Sequence, residues 1–234
     1  MLSDFIQPPQ AVVFDMDGTL LDSMVFWKKL PIRYLVSRGI AYVDSLKSRL
    51  YPLSLEWQIQ ILRDELHIPD APEEILSSFH ADMEYLYRTE VQVKPGTVKF
   101  LTVLKQHGIP LHLFSATPLR MVRIALESTG LISFFDTISS TYDQNTSKHD
   151  LAAFSDIRQR IGCPFENIWV FEDALYAIRT AKSAGMRVVA ISDPTAAADI
   201  EEICATADLY LPSLEDASAL SLLRYSGLGE PASH

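Results

Sequence analysis

Two aspartates, Asp15 and Asp17, follow the apolar run Ala11-Val12-Val13-Phe14 and precede Gly18. On an extended chain, residues two apart project to the same side, so both carboxylates face one space. Gly18 permits a tight turn and close approach of backbone to a ligand. One carboxylate of such a pair can attack as a nucleophile while the other handles protons. A lone Asp at a strand end is more often a helix cap. The whole run Asp15-Met16-Asp17-Gly18-Thr19-Leu20-Leu21-Asp22 is far more specific.

Two more apolar runs end in polar groups. Leu111–Phe114 leads into Ser115-Ala116-Thr117, and Ile168–Phe171 leads into Glu172-Asp173. Carboxylates gathered at one place repel and raise one another's pKa, a conflict that a divalent cation resolves. All-oxygen ligands suit Mg²⁺, which keeps waters and a substrate phosphate in its shell. Ser115 reads equally well as a turn or helix-capping residue. Lys148 is by default a solvated lysine, and His149 beside it a solvated loop histidine.

These groups need a scaffold that brings strand ends together. The four- and five-residue runs, with Arg187–Ile191 and the strand-like Thr137–Thr141, have the texture of strands buried on both faces. Helically spaced segments alternate with them: Gly96 to Gln106, Pro118 to Gly130 and Ala174 to Ala184. This alternation predicts βαβ units, a doubly wound parallel sheet and a Rossmann-like α/β core. Ligands then bind beyond the carboxyl ends of the strands.

From about Met24 to Glu90 the texture changes. No strand run occurs, and amphipathic helices are predicted with breaks at Gly39, Pro52, Pro69 and Pro72. Trp27, Leu30, Tyr34 and Leu35 form one stripe. Leu55, Ile59, Leu62 and Leu66 form a second, and Ile75, Phe79, Met83, Leu86 and Tyr87 a third. The expected organisation is a core of residues 1–22 and 93–234 with a helical insertion at 23–92.

The chain has 234 residues, with 30 Asp+Glu against 20 Lys+Arg and a net charge of −10. Such a body repels phosphate backbones and anionic lipid, which argues against nucleic-acid and membrane-surface binding. A small anionic substrate remains compatible, because a bound cation inverts the local field. Cys163 and Cys204 form no CxxC and no zinc-ligand spacing, and read as buried thiols in a reducing compartment. Residues 1–9 lack the basic and apolar regions of a signal peptide, and no stretch reaches the ~18 apolar residues of a membrane span. The expectation is a cytoplasmic protein with a frayed tail over Glu230–His234. No GxSxG, GxxxxGK[ST] or strand-linked GxGxxG occurs, which removes serine-hydrolase, P-loop and dinucleotide-binding readings.

The run from Asp15 to Asp22, then Ser115, Lys148 and Glu172-Asp173 in that order, resembles the haloacid dehalogenase superfamily. The helical insertion resembles that family's α-helical cap, placed as in the β-phosphoglucomutase and phosphoglycolate phosphatase group. The resemblance implies a phosphatase acting on a small phosphorylated metabolite through an aspartyl-phosphate. It implies that Asp15 attacks phosphorus and that Asp17 exchanges protons with the leaving and attacking oxygens. Mg²⁺ would be held by Asp15, the Asp17 carbonyl and Asp173, with Glu172 as a further contact. Ser115 and Thr117 would contact the phosphoryl group, and Lys148 would offset charge. In the cap, Arg49, with Tyr51 and Glu56 nearby, is the candidate for substrate contact.

Several positions depart from the pattern. The family often follows its lysine with prolines and an acidic residue four places on; here His149 and Ala152 stand there. The Ser after the acidic pair, and the Gly three further on, are Ala174 and Ala177. Trp27 takes the place of a His found in the β-phosphoglucomutase pattern. A phosphomutase is therefore the nearest alternative, and a non-catalytic phosphate-binding relative a more distant one. A dehalogenase is disfavoured, because those relatives lack an acidic residue at the place of Asp17.

Overall fold

The computed structural model describes residues 7–51 and 53–228. The expected break at Pro52 and the expected fraying of Glu230–His234 lie outside the described residues. The chain divides into two compact units, one of Met1–Asp22 with Gln92–His234 and one of Ser23–Val91.

The first unit is a six-stranded sheet with helices. Its strands are β1 (Ala11–Phe14), β2 (Leu111–Ser115), β3 (Thr137–Ser140), β4 (Ile168–Glu172), β5 (Arg187–Ile191) and β6 (Leu209–Leu211). Every pairing is parallel, in the order β3-β2-β1-β4-β5-β6. The order reverses at β1, so the crevice between the ends of β1 and β4 is a topological switch point, where doubly wound sheets bind ligands. Phe14 is in register with both Leu113 and Phe171. One residue beyond the Phe14–Phe171 pair stand Asp15 and Glu172.

The strands read as unbroken apolar runs because both faces are covered. All four residues of β1 and all five of β4 are buried. Phe14 stacks on Phe171 with ring centroids 4.6 Å apart. A stacked pair of this kind contributes about 0.5–1.5 kcal/mol beyond its buried area and holds the two strand ends together. Leu175, Ile178 and Ala181 extend one side of the core along a helix, and Ala153, Phe154 and Ile157 extend it along another.

The second unit is helical: α1 (Met24–Ser37), α2 (Asp44–Leu50), α3 (Leu55–Asp64) and α4 (Pro72–Thr89). Helices α1 and α4 pack together, and α3 lies on α4. The third stripe is buried throughout, at Ile75, Phe79, Met83, Leu86 and Tyr87. Pro72 is the first residue of α4, where its missing N–H costs nothing. Tyr34 donates to Asp70, and Arg38 binds the same carboxylate at 2.7 Å while lying over the Tyr34 ring.

The remaining helices belong to the sheet unit: α5 (Thr97–Gln106), α6 (Leu119–Ser128), α7 (Leu151–Ile161), α8 (Leu175–Ser183), α9 (Ile200–Thr206) and α10 (Ala217–Tyr225). Where the chain leaves and rejoins this unit, Asp22 N bonds Gln92 O at 2.9 Å and Lys94 N bonds Leu20 O at 2.8 Å. No helix among the described residues is long and apolar enough to cross a membrane.

Candidate active site

The loop after β1 is shaped by its own backbone. Asp15 N continues the ladder to Phe171 O at 3.0 Å, which fixes the Asp15 side chain at the sheet edge. Met16 points into the core and is fully buried. Its carbonyl accepts from both Leu20 N and Leu21 N, and Gly18 N closes the turn on Leu21 O. Gly18 has φ of +88°, in the left-handed region.

Beyond the ends of β1 and β4, Asp15, Glu172 and Asp173 each offer an oxygen within 4.8 Å of the others. All three are buried. Lys148 enters from the loop before α7 and is 2% exposed. Its Nζ lies 2.5 Å from Asp15 Oδ1 and 2.8 Å from Glu172 Oε2. With no acidic residue four places after Lys148, its second carboxylate partner is Glu172, at the end of β4. The other Glu172 oxygen accepts from Asp173 N and Ala174 N at 3.3 and 3.2 Å. Thr19 Oγ1 donates to Asp173 Oδ1 at 2.9 Å.

The electrostatics of this cluster are unbalanced. Burial, then the charge of Glu172, pushes the Asp15 carboxyl up to about 8 against the pull of Lys148. Burial and the charges of Glu172, Asp15 and Asp193 hold Asp173 well above the ordinary carboxylate range. Burial works against the Lys148 ammonium, but Asp15 and Glu172 outweigh it and keep its pKa above the usual lysine value. One ammonium thus faces three carboxylates. A dication with oxygen ligands fits that excess of negative charge, and Asp15, Glu172 and Asp173 can hold it.

Ser115 ends β2, one strand over from Asp15, and is buried. Its Oγ accepts from Thr117 N at 3.0 Å. Thr117 Oγ1 donates to Asp17 Oδ2 at 2.7 Å. The structure thus gathers Asp15, Lys148, Glu172 and Asp173 in one contact network, and Asp17, Thr117 and Ser115 in a chain of contacts. Arg49 belongs to the helical unit, where its exposed guanidinium binds both oxygens of Glu65 at 2.6 and 2.8 Å. Tyr51 is half-buried and Glu56 exposed in that same unit.

His149 is an exposed residue of the turn before α7, as expected, and it also makes two contacts. Its ring stacks on Tyr176 of α8, centroids 4.2 Å apart, and its carbonyl accepts from Thr180 Oγ1. These contacts brace the segment after Lys148, where the family pattern has prolines. Burial raises the Tyr176 phenol, with Lys148 pulling the other way.

Sequence reasoning passed over three contributors. Thr19 lay inside the Asp15–Asp22 run without a role. Lys94 is nearly buried, and its Nζ donates to Gly18 O, to Ser192 O at 2.8 Å and to Asp193 Oδ2 at 2.9 Å. Asp193, with its side chain 1% exposed, follows β5. The strand-end rule used for β1, β2 and β4 would have found Asp193, since Ser192-Asp193 follows the apolar run Arg187–Ile191. Lys94 carries no such signal.

A doubly wound parallel sheet thus presents a buried carboxylate–lysine network and an acidic pair at its switch point, a group able to hold a divalent cation. The chain belongs to the haloacid dehalogenase-like hydrolases, whose family model matches residues 9–185. It is 28% identical over 177 residues to the phosphorylated carbohydrates phosphatase of Thermotoga maritima, covering 76% of this chain and 82% of that one. It is 26% identical over 218 residues to hexitol phosphatase B of Escherichia coli K12, covering 91% and 96%. The structure of CbbY from Rhodobacter sphaeroides in complex with phosphate superposes with a TM-score of 0.77 over 92% of this chain and 99% of that one, at 22% identity. That likeness shows the shared fold.

Proposed function

We propose that this hydrolase is a Mg²⁺-dependent phosphatase of small phosphate monoesters of the sugar, polyol or glycolate type, working through a phosphorylated Asp15. The observation that carries the reading is the buried contact of Asp15 with Lys148, set among Glu172 and Asp173. Relatives named as phosphatases of phosphorylated carbohydrates and of hexitol phosphate support the substrate class.

In the first step a carboxylate oxygen of Asp15 attacks phosphorus and the ester O–P bond breaks. Asp17 gives its proton to the departing oxygen. In the second step water attacks the phosphorylated Asp15, its proton passes to Asp17, and phosphate leaves. Ser115 donates to a phosphoryl oxygen. Lys148 neutralises charge spread over the phosphoryl group, its 2.8 Å contact with Glu172 keeping it oriented. Asp15, Asp173, Glu172 and the Asp17 carbonyl would hold Mg²⁺, which when bound would add charge stabilisation of the phosphoryl group. The helical unit acts as a cap that excludes water and selects substrate, with Arg49 a candidate contact once it exchanges Glu65 for a substrate anion. The compartment is the cytoplasm, and the partners are small metabolites rather than nucleic acid or membrane.

Trp27 favours phosphatase over mutase. Its indole N–H donates to Tyr87 OH at 3.1 Å, so the place of the mutase His holds a group committed to helix packing. The test is hydrolysis of p-nitrophenyl phosphate with Mg²⁺ and with EDTA, followed by a panel of sugar, polyol and glycolate phosphates. Mg²⁺-dependent release of inorganic phosphate is expected. Full activity after dialysis into EDTA would refute the metal role. Conversion of β-glucose 1-phosphate to glucose 6-phosphate with little free phosphate, followed by phosphorus NMR, would replace the phosphatase with the mutase.

A further inference from the structure

Thr117 is held at all three of its polar groups. Its amide donates to Ser115 Oγ at 3.0 Å, and its carbonyl accepts from Ser140 Oγ at 2.8 Å. Both serines are buried, at the ends of β2 and β3, so the Thr117 backbone is tied to two strands. Ser115 and Ser140 are themselves register partners. The remaining group, the hydroxyl, donates to Asp17 Oδ2 at 2.7 Å. Thr117 is itself 7% exposed. On so constrained a backbone the restricted first torsion of a β-branched side chain leaves the hydroxyl few directions, and the one it takes meets the carboxyl of Asp17.

Asp17 lies beyond the last ladder bond of β1, before the Gly18 turn, and is half-buried. A carboxylate on a turn can rotate about two torsions, yet proton transfer needs it within hydrogen-bond reach of one oxygen. We propose that Thr117 is a positioning residue rather than a substrate contact: it holds the Asp17 carboxyl in the orientation that exchanges a proton with the leaving oxygen and then with water. The inference rests on the proposed acid–base role of Asp17.

The proton balance gives a readout that a merely structural role would not move. When the ester O–P bond breaks, an alkoxide leaving group needs the Asp17 proton, whereas p-nitrophenolate departs without one. Loss of Thr117 therefore penalises alkyl esters selectively in kcat/KM, which reports the first step, whereas the water step slows alike for every ester. The experiment measures kcat and KM of wild type, Thr117→Val, Thr117→Ser and Asp17→Asn on p-nitrophenyl phosphate and on a series of aryl and alkyl phosphates of rising leaving-group pKa. Misplacing an acid that contributes ~10²–10⁴-fold should cost Thr117→Val roughly 10–100-fold in kcat/KM on the alkyl esters and far less on p-nitrophenyl phosphate. Thr117→Ser, which keeps the hydroxyl, should recover most of the alkyl-ester rate.

Equal losses of kcat/KM on all esters, or a raised KM at unchanged kcat on all of them, would overturn the proposal and make Thr117 a substrate contact. Failure of Thr117→Ser to recover would also overturn it. Asp17→Asn separates the two levels. If Asp17→Asn shows no leaving-group dependence, the role of Asp17 fails and the inference falls with it. If Asp17→Asn shows the dependence and Thr117→Val does not, the inference alone fails. Should Thr117→Val not fold, Thr117→Ala is measured in its place, with circular dichroism checking the fold.

Discussion

A Cβ built on Gly18 would stand 2.3 Å from Oδ2 of Asp173, so the turn after the two aspartates and the acidic end of β4 are in contact with no room between them. Side chains do not tolerate that distance, and the φ of +88° would strain one in any case. Lys94 holds the same glycine by its carbonyl. Gly18 is thus gripped from both ends, which ties the position of Asp17 to that of Asp173.

Gly18→Ala should displace Asp173 and lower kcat by more than tenfold, a barrier rise above ~1.4 kcal/mol. The left-handed φ alone costs about 1–2 kcal/mol of stability. Thermal melting and p-nitrophenyl phosphate hydrolysis measure the two effects, and a variant with unchanged rate would show that the contact has no bearing on catalysis.

Lys148→Met should abolish turnover and destabilise the fold. Removing one partner of a buried ion pair leaves the other charge uncompensated, typically at a cost of about 3–5 kcal/mol. Here Asp15 and Glu172 would both be left. Urea denaturation in EDTA should show the loss. Added Mg²⁺ should recover part of the stability without recovering the rate.

The raised carboxylates predict how metal-free stability responds to pH. Asp15 titrates near 8 in the folded chain against 3.8 as a free group, with burial the largest cause. Between those values the folded state binds more protons than the unfolded state, so stability falls as pH rises. The contribution is fully present below about pH 4 and is lost through about pH 8. Asp173 shifts in the same direction. Melting temperatures in EDTA should therefore decline across this window, other groups being equal. The stabilisation by Mg²⁺ should grow from pH 5 to pH 8, because the cation and the protons compete for the same oxygens. A Mg²⁺ effect that shrinks with pH would contradict the cluster as the metal site.

Lys94→Met should lower both stability and rate, while Lys94→Met combined with Asp193→Asn should be less unstable than the single variant. The single change leaves a buried carboxylate unpaired, and the double change removes that penalty. Denaturation curves of the three proteins decide this; additive losses would mean that Lys94 and Asp193 act independently.

Most of the sheet was legible because its strands are buried on both faces and read as apolar runs of four or five residues; β6 was not, since its run Leu209-Tyr210-Leu211 is only three residues long. Asp15, Glu172 and Asp173 could be placed at one edge because each follows a run, and parallel strands bring their ends together. Lys148 could not be placed by spacing. It meets Asp15 across 133 residues of chain, a contact that only the packed fold creates. The same holds for Lys94, whose partners Gly18 and Asp193 lie 76 and 99 residues away. The stacking of His149 on Tyr176 was invisible for a related reason. The two rings lie 27 residues apart in the chain, and the pairing depends on how α8 lies against the loop before α7.

The account stands or falls on the nucleophile. The direct measurement is rapid acid quenching of the enzyme with substrate and Mg²⁺, followed by peptide mapping by mass spectrometry. The peptide carrying Asp15 should gain the mass of one phosphoryl group during turnover and lose it on treatment with hydroxylamine. Asp15→Asn, which keeps the packing but cannot attack phosphorus, should show neither the adduct nor turnover. Retention of activity by Asp15→Asn within about tenfold of wild type, or a phosphoryl group on another residue, would contradict it.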